Sequence, residues 1–133
     1  MAKPTSNDTT PPSADYSTWT EVEMMIDGLA AETPSLAQNT IGNARLFARY
    51  ASGRYQIPHE IGLGYWPTIC LMWSSNTPAI EIEIFDDHYE FYAFSDGATD
   101  IQHVDQTSGN FPEALKLLLD TTMSRPPSVE IDS

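Results

Sequence analysis

Isoleucine and glutamate alternate along residues 79–85: Ile80, Ile82 and Ile84 fall on one side of an extended chain, Glu81 and Glu83 on the other. Side chains of a strand point in turn to opposite faces, so the run predicts a strand covered on one face and open on the other. Residues 88–94 repeat the alternation, and Asp86-Asp87 between the two runs suits a tight hairpin turn. That turn pairs Ile84 with Tyr89, Ile82 with Phe91 and Ile80 with Ala93, which places all six on one face. The same register sets Glu83 opposite Glu90, Glu81 beside Tyr92 and His88 near Phe85. Upstream, residues 68–74 are apolar on both faces and predict a covered strand. Downstream, Asp96-Gly97 supplies a turn and residues 101–104 a fourth strand.

A period nearer 3.6 marks the helices. Trp19, Val22, Ile26 and Leu29 share one helical face over residues 17–31, with Thr18 and Glu21 at capping-box spacing. A second helix is expected over 34–51, with Thr33 as cap, Pro34 in its first turn and Gly53 as its stop. Its apolar side is Leu36, Ala37, Ile41, Ala44, Phe47 and Ala48. Residues 53–67, with Pro58, Gly62, Gly64 and Pro67, are expected to be loop. A last helix is expected from about Asn110, with Pro112 and Glu113 in its first turn and Phe111, Ala114, Leu115, Leu118 and Leu119 as its apolar stripe. The expected architecture is α+β: an N-terminal antiparallel helix pair, a four-stranded antiparallel meander, and a C-terminal helix packed on one sheet face. Residues 16–123 form the single domain. Residues 1–15 and 124–133, proline-rich with little to bury, read as disordered tails.

The proline- and glycine-rich loop, the Ile69-Cys70-Leu71-Met72-Trp73 run, the 80–84 alternation, the following aromatic strand, the Asp-Gly turn and Phe111-Pro112-Glu113-Ala114-Leu115 together resemble a group of small bacterial proteins. The resemblance spans roughly residues 19–123 and implies a paired-helix segment, a meander whose first strand ends in Trp, and a closing helix. Gly64-Tyr65-Trp66-Pro67 stands where those proteins tend to have an Asp-Gly turn. The group implies no activity, so no functional residue is carried over from it.

Charge changes the picture more than composition does. The formal net charge is −13. Between residues 55 and 115 there are ten acids and no lysine or arginine. Such a field argues against direct binding to nucleic acid or an anionic membrane, and it favours a basic protein partner, a cation, or simple solubility. One cysteine, Cys70, excludes an internal disulfide and reads as a small buried hydrophobe. With no signal-peptide pattern and no long apolar run, a cytoplasmic location is the expectation.

Three regions are candidates for function. The first is the outer hairpin face. Like charges directly opposite each other destabilise a sheet, so Glu83 and Glu90 invite a compensating group. A basic partner, a cation held by Glu81, Glu83, Glu90 and His88, and pairing with Arg45 and Arg49 all answer that need, and a solvated face that tolerates the repulsion is the plainest alternative. The second is Arg45, Arg49 and Arg54 with Tyr50 and Tyr55, which have the chemistry to grip an anion but are as well suited to structural ion pairs. The third is Tyr65 and Trp66, potential interface anchors in a Gly/Pro-bounded loop. No nucleophile motif, phosphate loop or zinc spacing is present, so no catalytic residue, metal ligand set or cofactor is assigned. His88 and His103 on neighbouring strands offer only a two-histidine possibility. The leading expectation is a small acidic interaction module, of the inhibitor, immunity or accessory type, whose partner-binding residues are Glu81, Glu83, Glu90, Tyr65 and Trp66. Rival expectations are a ligand-binding or metal-dependent cleft between helix pair and sheet using His59, His88, His103 and Arg45, a DNA mimic with acids along a ridge, and a homodimer.

Overall fold

The computed structural model describes residues 18–64, 66–106 and 109–123. The expected tails and Tyr65 lie outside the described residues. Three helices, α1 (Trp19–Glu32), α2 (Gln38–Ala51) and α3 (Glu113–Thr122), accompany five strands: β1 (Glu60–Leu63), β2 (Ile69–Trp73), β3 (Ala79–Ile84), β4 (His88–Ser95) and β5 (Ala98–Asp105). The strands form one antiparallel meander in the order β1-β2-β3-β4-β5. The α+β architecture is therefore as the alternation implies, with one strand more.

The hairpin register follows the sequence pattern residue for residue: Ile84 pairs with Tyr89, Ile82 with Phe91, Ile80 with Ala93, and Glu83 with Glu90. Ile80, Ile82, Ile84, Tyr89 and Phe91 are essentially buried, together with Ile69, Leu71 and Trp73 of β2. They join one core with Trp19, Val22 and Ile26 of α1, Ala44, Phe47 and Ala48 of α2, and Leu115 and Leu119 of α3. At its centre the rings of Trp19, Phe47 and Trp73 form a triangle with centroids 6.3–6.4 Å apart, in tilted packing that suits the quadrupoles of aromatic rings. Each indole also needs a hydrogen-bond acceptor once buried. Trp19 Nε1 donates to the Tyr55 carbonyl at 2.8 Å and Trp73 Nε1 to the Gln56 carbonyl at 2.9 Å. The two tryptophans thereby fix the chain that leaves α2.

Phe111, just before α3, stacks on Tyr50 at 4.2 Å and meets Phe47 edge-on at 5.6 Å. Tyr55 lies in the loop after α2, as expected, but it is buried and its hydroxyl donates to Asp120 of α3 at 2.5 Å. Burial and that carboxylate both push the phenol well above its ordinary range.

Two local expectations require correction. The second helix begins at Gln38 rather than Pro34, and Thr33 closes α1 instead of capping α2. A residue before proline is driven out of the helical region. Thr33 accordingly adopts φ −128°, ψ 82°, a turn closed by Leu36 N–H on the Thr33 carbonyl follows, and Leu36 drops into the core. The 53–67 loop also contains a strand. Its residues Glu60-Ile61-Gly62-Leu63 are too few and too glycine-rich to stand out by pattern, yet they pair along β2, from Glu60 opposite Met72 to Leu63 opposite Ile69.

Replacing Ile82 with Ala is expected to lower the unfolding free energy by about 2–5 kcal/mol, the usual cost of emptying a filled core position. Leu117→Ala, at a position 67% exposed on α3, is expected to stay within about 0.5 kcal/mol. Urea denaturation followed by circular dichroism distinguishes the two, and equal effects would contradict the assigned faces.

Candidate functional site

All three helices contribute to the core on one side of the sheet, and among the described residues no helix covers the other side. Adjacent strand partners assemble two rows across it. One runs Gly62, Cys70, Glu83, Glu90, His103, and the other Glu60, Met72, Glu81, Tyr92, Ile101. The three glutamates expected to bind a partner are thus neighbours on one surface.

Each of these carboxylates is met by a neutral donor. Thr68 Oγ1 donates to Glu83 Oε2 at 2.6 Å. The Tyr92 hydroxyl donates to Glu90 Oε1 at 2.6 Å and stands 3.5 Å from Glu83 Oε1. The Cys70 thiol hydrogen-bonds Glu81. A hydroxyl or thiol orients a carboxylate without cancelling its charge, and no lysine or arginine pairs with these three acids among the described residues. Burial, reinforced by the Glu83 and Glu81 charges, pushes the Cys70 thiol up to about 12. Cys70 is therefore a buried hydrogen-bond donor with no nucleophilic character at neutral pH. Gly64 makes this closeness possible, because a side-chain carbon there would collide with Thr68 Oγ1 and Glu83 Oε2 and crowd Cys70 Sγ.

The expected intramolecular pairing of Arg45 and Arg49 with the sheet acids does not occur. Arg45 Nη2 binds Asp27 Oδ1 at 2.6 Å and Arg49 Nε binds Glu23 Oε1 at 3.3 Å, both on α1. Arg54 lies over the Tyr50 ring, 4.3 Å from its centroid, and donates to the Tyr50 carbonyl. The three arginines brace α1, α2 and Tyr50 and do not converge on a shared anion site.

Nor do the residues of the expected cleft come together. The space between helices and sheet is filled by the core. Arg45 is on the α1–α2 surface, and His59 accepts the Ser75 N–H at 3.2 Å. Only His88 and His103 meet, at the β4–β5 edge of the open face, with rings stacked 4.2 Å apart. Phe85 stacks on the other side of His88 at 4.1 Å. Two shallow surface cavities, of about 360 and 230 Å³, contain none of the histidines. The smaller lies beside Trp66, which is 65% exposed.

The face also carries apolar surface that the sequence reading did not single out. Met72 and Tyr92 are half-buried, and Ile101 and Phe94 are exposed. Their even spacing with the glutamates was visible in the sequence, but β1 and the full length of β5 were needed to place them in rows. Among the described residues, no helix is long and apolar enough to cross a membrane.

Compared with known proteins, the chain matches no family model, no curated protein and no solved structure. The candidate site stands on its own geometry.

Burial, and secondarily the charge of Glu83, raises the pKa of Glu81 above its ordinary 4.5. An acid with a raised folded value binds more protons in the folded chain than in the unfolded one, so stability falls as pH climbs through that window. Glu81→Gln is expected to be more stable than the parent at pH 7 by a few tenths of a kcal/mol, the scale of a screened like-charge contact. The gain should vanish below about pH 4. Thermal melts across pH check this, and a pH-independent difference would contradict it.

Proposed function

We propose that this chain is a small acidic interaction module that docks a basic protein through the open face of its sheet. The observation that carries the reading is the contiguous set Glu81, Glu83 and Glu90, held in place by Thr68, Tyr92 and Cys70 and paired with no lysine or arginine among the described residues. Packing arginines or lysines against it would relieve a repulsion that the free chain sustains. Met72, Tyr92, Phe94 and Ile101 add the apolar area that an interface core needs beside its charges. Trp66, exposed near the Phe85 end of the same sheet, is an available anchor. A DNA mimic is the less suited alternative, because it needs solvent-facing acids along an extended ridge, whereas these three are half-buried, hydrogen-bonded and grouped.

The test is capture at low salt with three baits: the parent chain, a Glu60→Lys/Ile101→Lys variant that flanks the open face with positive charge, and a Glu32→Lys control at the far end of α1. The expected partner is basic, is released by raised salt, is lost with the sheet-face variant and is kept by the control. A partner indifferent to salt, or one that survives the sheet-face variant, would refute the reading.

A further inference from the structure

At the β4–β5 edge of the open face, His88, Glu90 and His103 each bring one donor atom within 4.8 Å of the other two. From this arrangement we infer a site for a divalent transition cation of the zinc type, with these three residues as ligands and the fourth position left to water.

The hydrogen bonds around the triad prepare each member. His88 Nδ1 lies 2.6 Å from Asp87 Oδ1. A carboxylate accepts, so Asp87 orients the ring through an Nδ1 hydrogen and leaves Nε2 on the Glu90 side, 3.5 Å from its Oε2. His103 Nε2 is likewise held by Asp105 Oδ1 at 2.7 Å, which leaves Nδ1 as the nitrogen to offer a cation. Carboxylates on the outward nitrogen of a histidine are the usual partners of metal-binding imidazoles, where they fix the tautomer and strengthen the donor. Glu90 is prepared in the same sense: Tyr92 occupies Oε1 and leaves Oε2 toward His88.

Two imidazoles and one carboxylate select zinc and its neighbours in the transition series over calcium or magnesium, which prefer oxygen. Ligand bonds of 2.0–2.1 Å in a tetrahedral arrangement set donors about 3.4 Å apart, so the triad must contract by on the order of 1 Å. The stacked rings must also tilt until their lone pairs converge. His103 is the ring that can do so, since its side chain is 55% exposed on an edge strand, while His88 is 17% exposed and wedged against Phe85. The second cluster on this face, Cys70 with Glu81 and Glu83, is no competitor: its thiol is buried beneath Gly64 and Glu83 is engaged by Thr68.

The site shares Glu90 with the docking face but needs no protein partner, and it is tested without one. Zinc titrated calorimetrically into the chelator-treated full chain should bind one ion per chain. His103→Ala and Glu90→Gln should each weaken binding by more than about 10-fold, and Asp105→Asn by about 10-fold, the scale of losing an orienting partner. Cys70→Ser should leave the affinity unchanged. In the parent chain, imidazole nitrogen resonances of His88 and His103 should shift on zinc addition while those of His59 do not, a readout that needs no variant to fold. Absence of saturable zinc binding, affinity unaltered by His103→Ala and Glu90→Gln, or zinc-induced shifts confined to His59 would each overturn the assignment.

Discussion

The period-two alternation of β3 is the constraint from which the rest of this structure follows. Ile80, Ile82 and Ile84 can reach the helical layer only if Glu81 and Glu83 face away from it, and pairing with β4 then sets Glu90 beside them. A slip of β3 by one residue would turn its three isoleucines into water and its two glutamates into the core. The driving force that closes the core is thus the same one that concentrates negative charge on the opposite surface. Folding and electrostatics are coupled here through strand geometry alone.

That coupling explains why the acidic surface uses neutral donors. Thr68 just before β2, Cys70 within β2 and Tyr92 of β4 lie on the same side of the sheet as the glutamates, and each is close enough to hydrogen-bond one of them. The basic residues lie elsewhere: Arg45, Arg49 and Arg54 belong to the helical side, where they tie α2 to α1 and Tyr50. Positive charge braces the scaffold, and negative charge is displayed. The histidines expected to converge in a cleft are divided between β1's approach and the β4–β5 edge.

The legible parts of the fold were those governed by local periodicity. The hairpin register, the buried Trp19 and Trp73, the α1 cap at Thr18 and the Gly97 turn, at φ 71°, all follow from spacing that one strand or helix can carry. What escaped depended on distant partners. Glu60-Ile61-Gly62-Leu63 is a strand because β2 offers it an edge, not because of its own propensity. Tyr55 is buried because Asp120, 65 positions later, accepts its hydroxyl. The start of α2 differs from the expectation because Pro34, suited by its fixed φ to open a helix, here ends the preceding one. Within the site, the glutamates were legible from alternation, but the donors that hold them and the stacking of His88 on His103 required the whole sheet.

The three tryptophans have been distributed in a way that makes the chain its own optical reporter. Trp19 and Trp73 sit in the aromatic triangle, with their indole hydrogens on backbone carbonyls, while Trp66 stands exposed at one end of the sheet. A soluble quencher should therefore divide the intrinsic emission into an accessible fraction from Trp66 and a shielded fraction from the other two. Changes in the first would register events at the surface without a dye, and changes in the second would register loss of the packed interior.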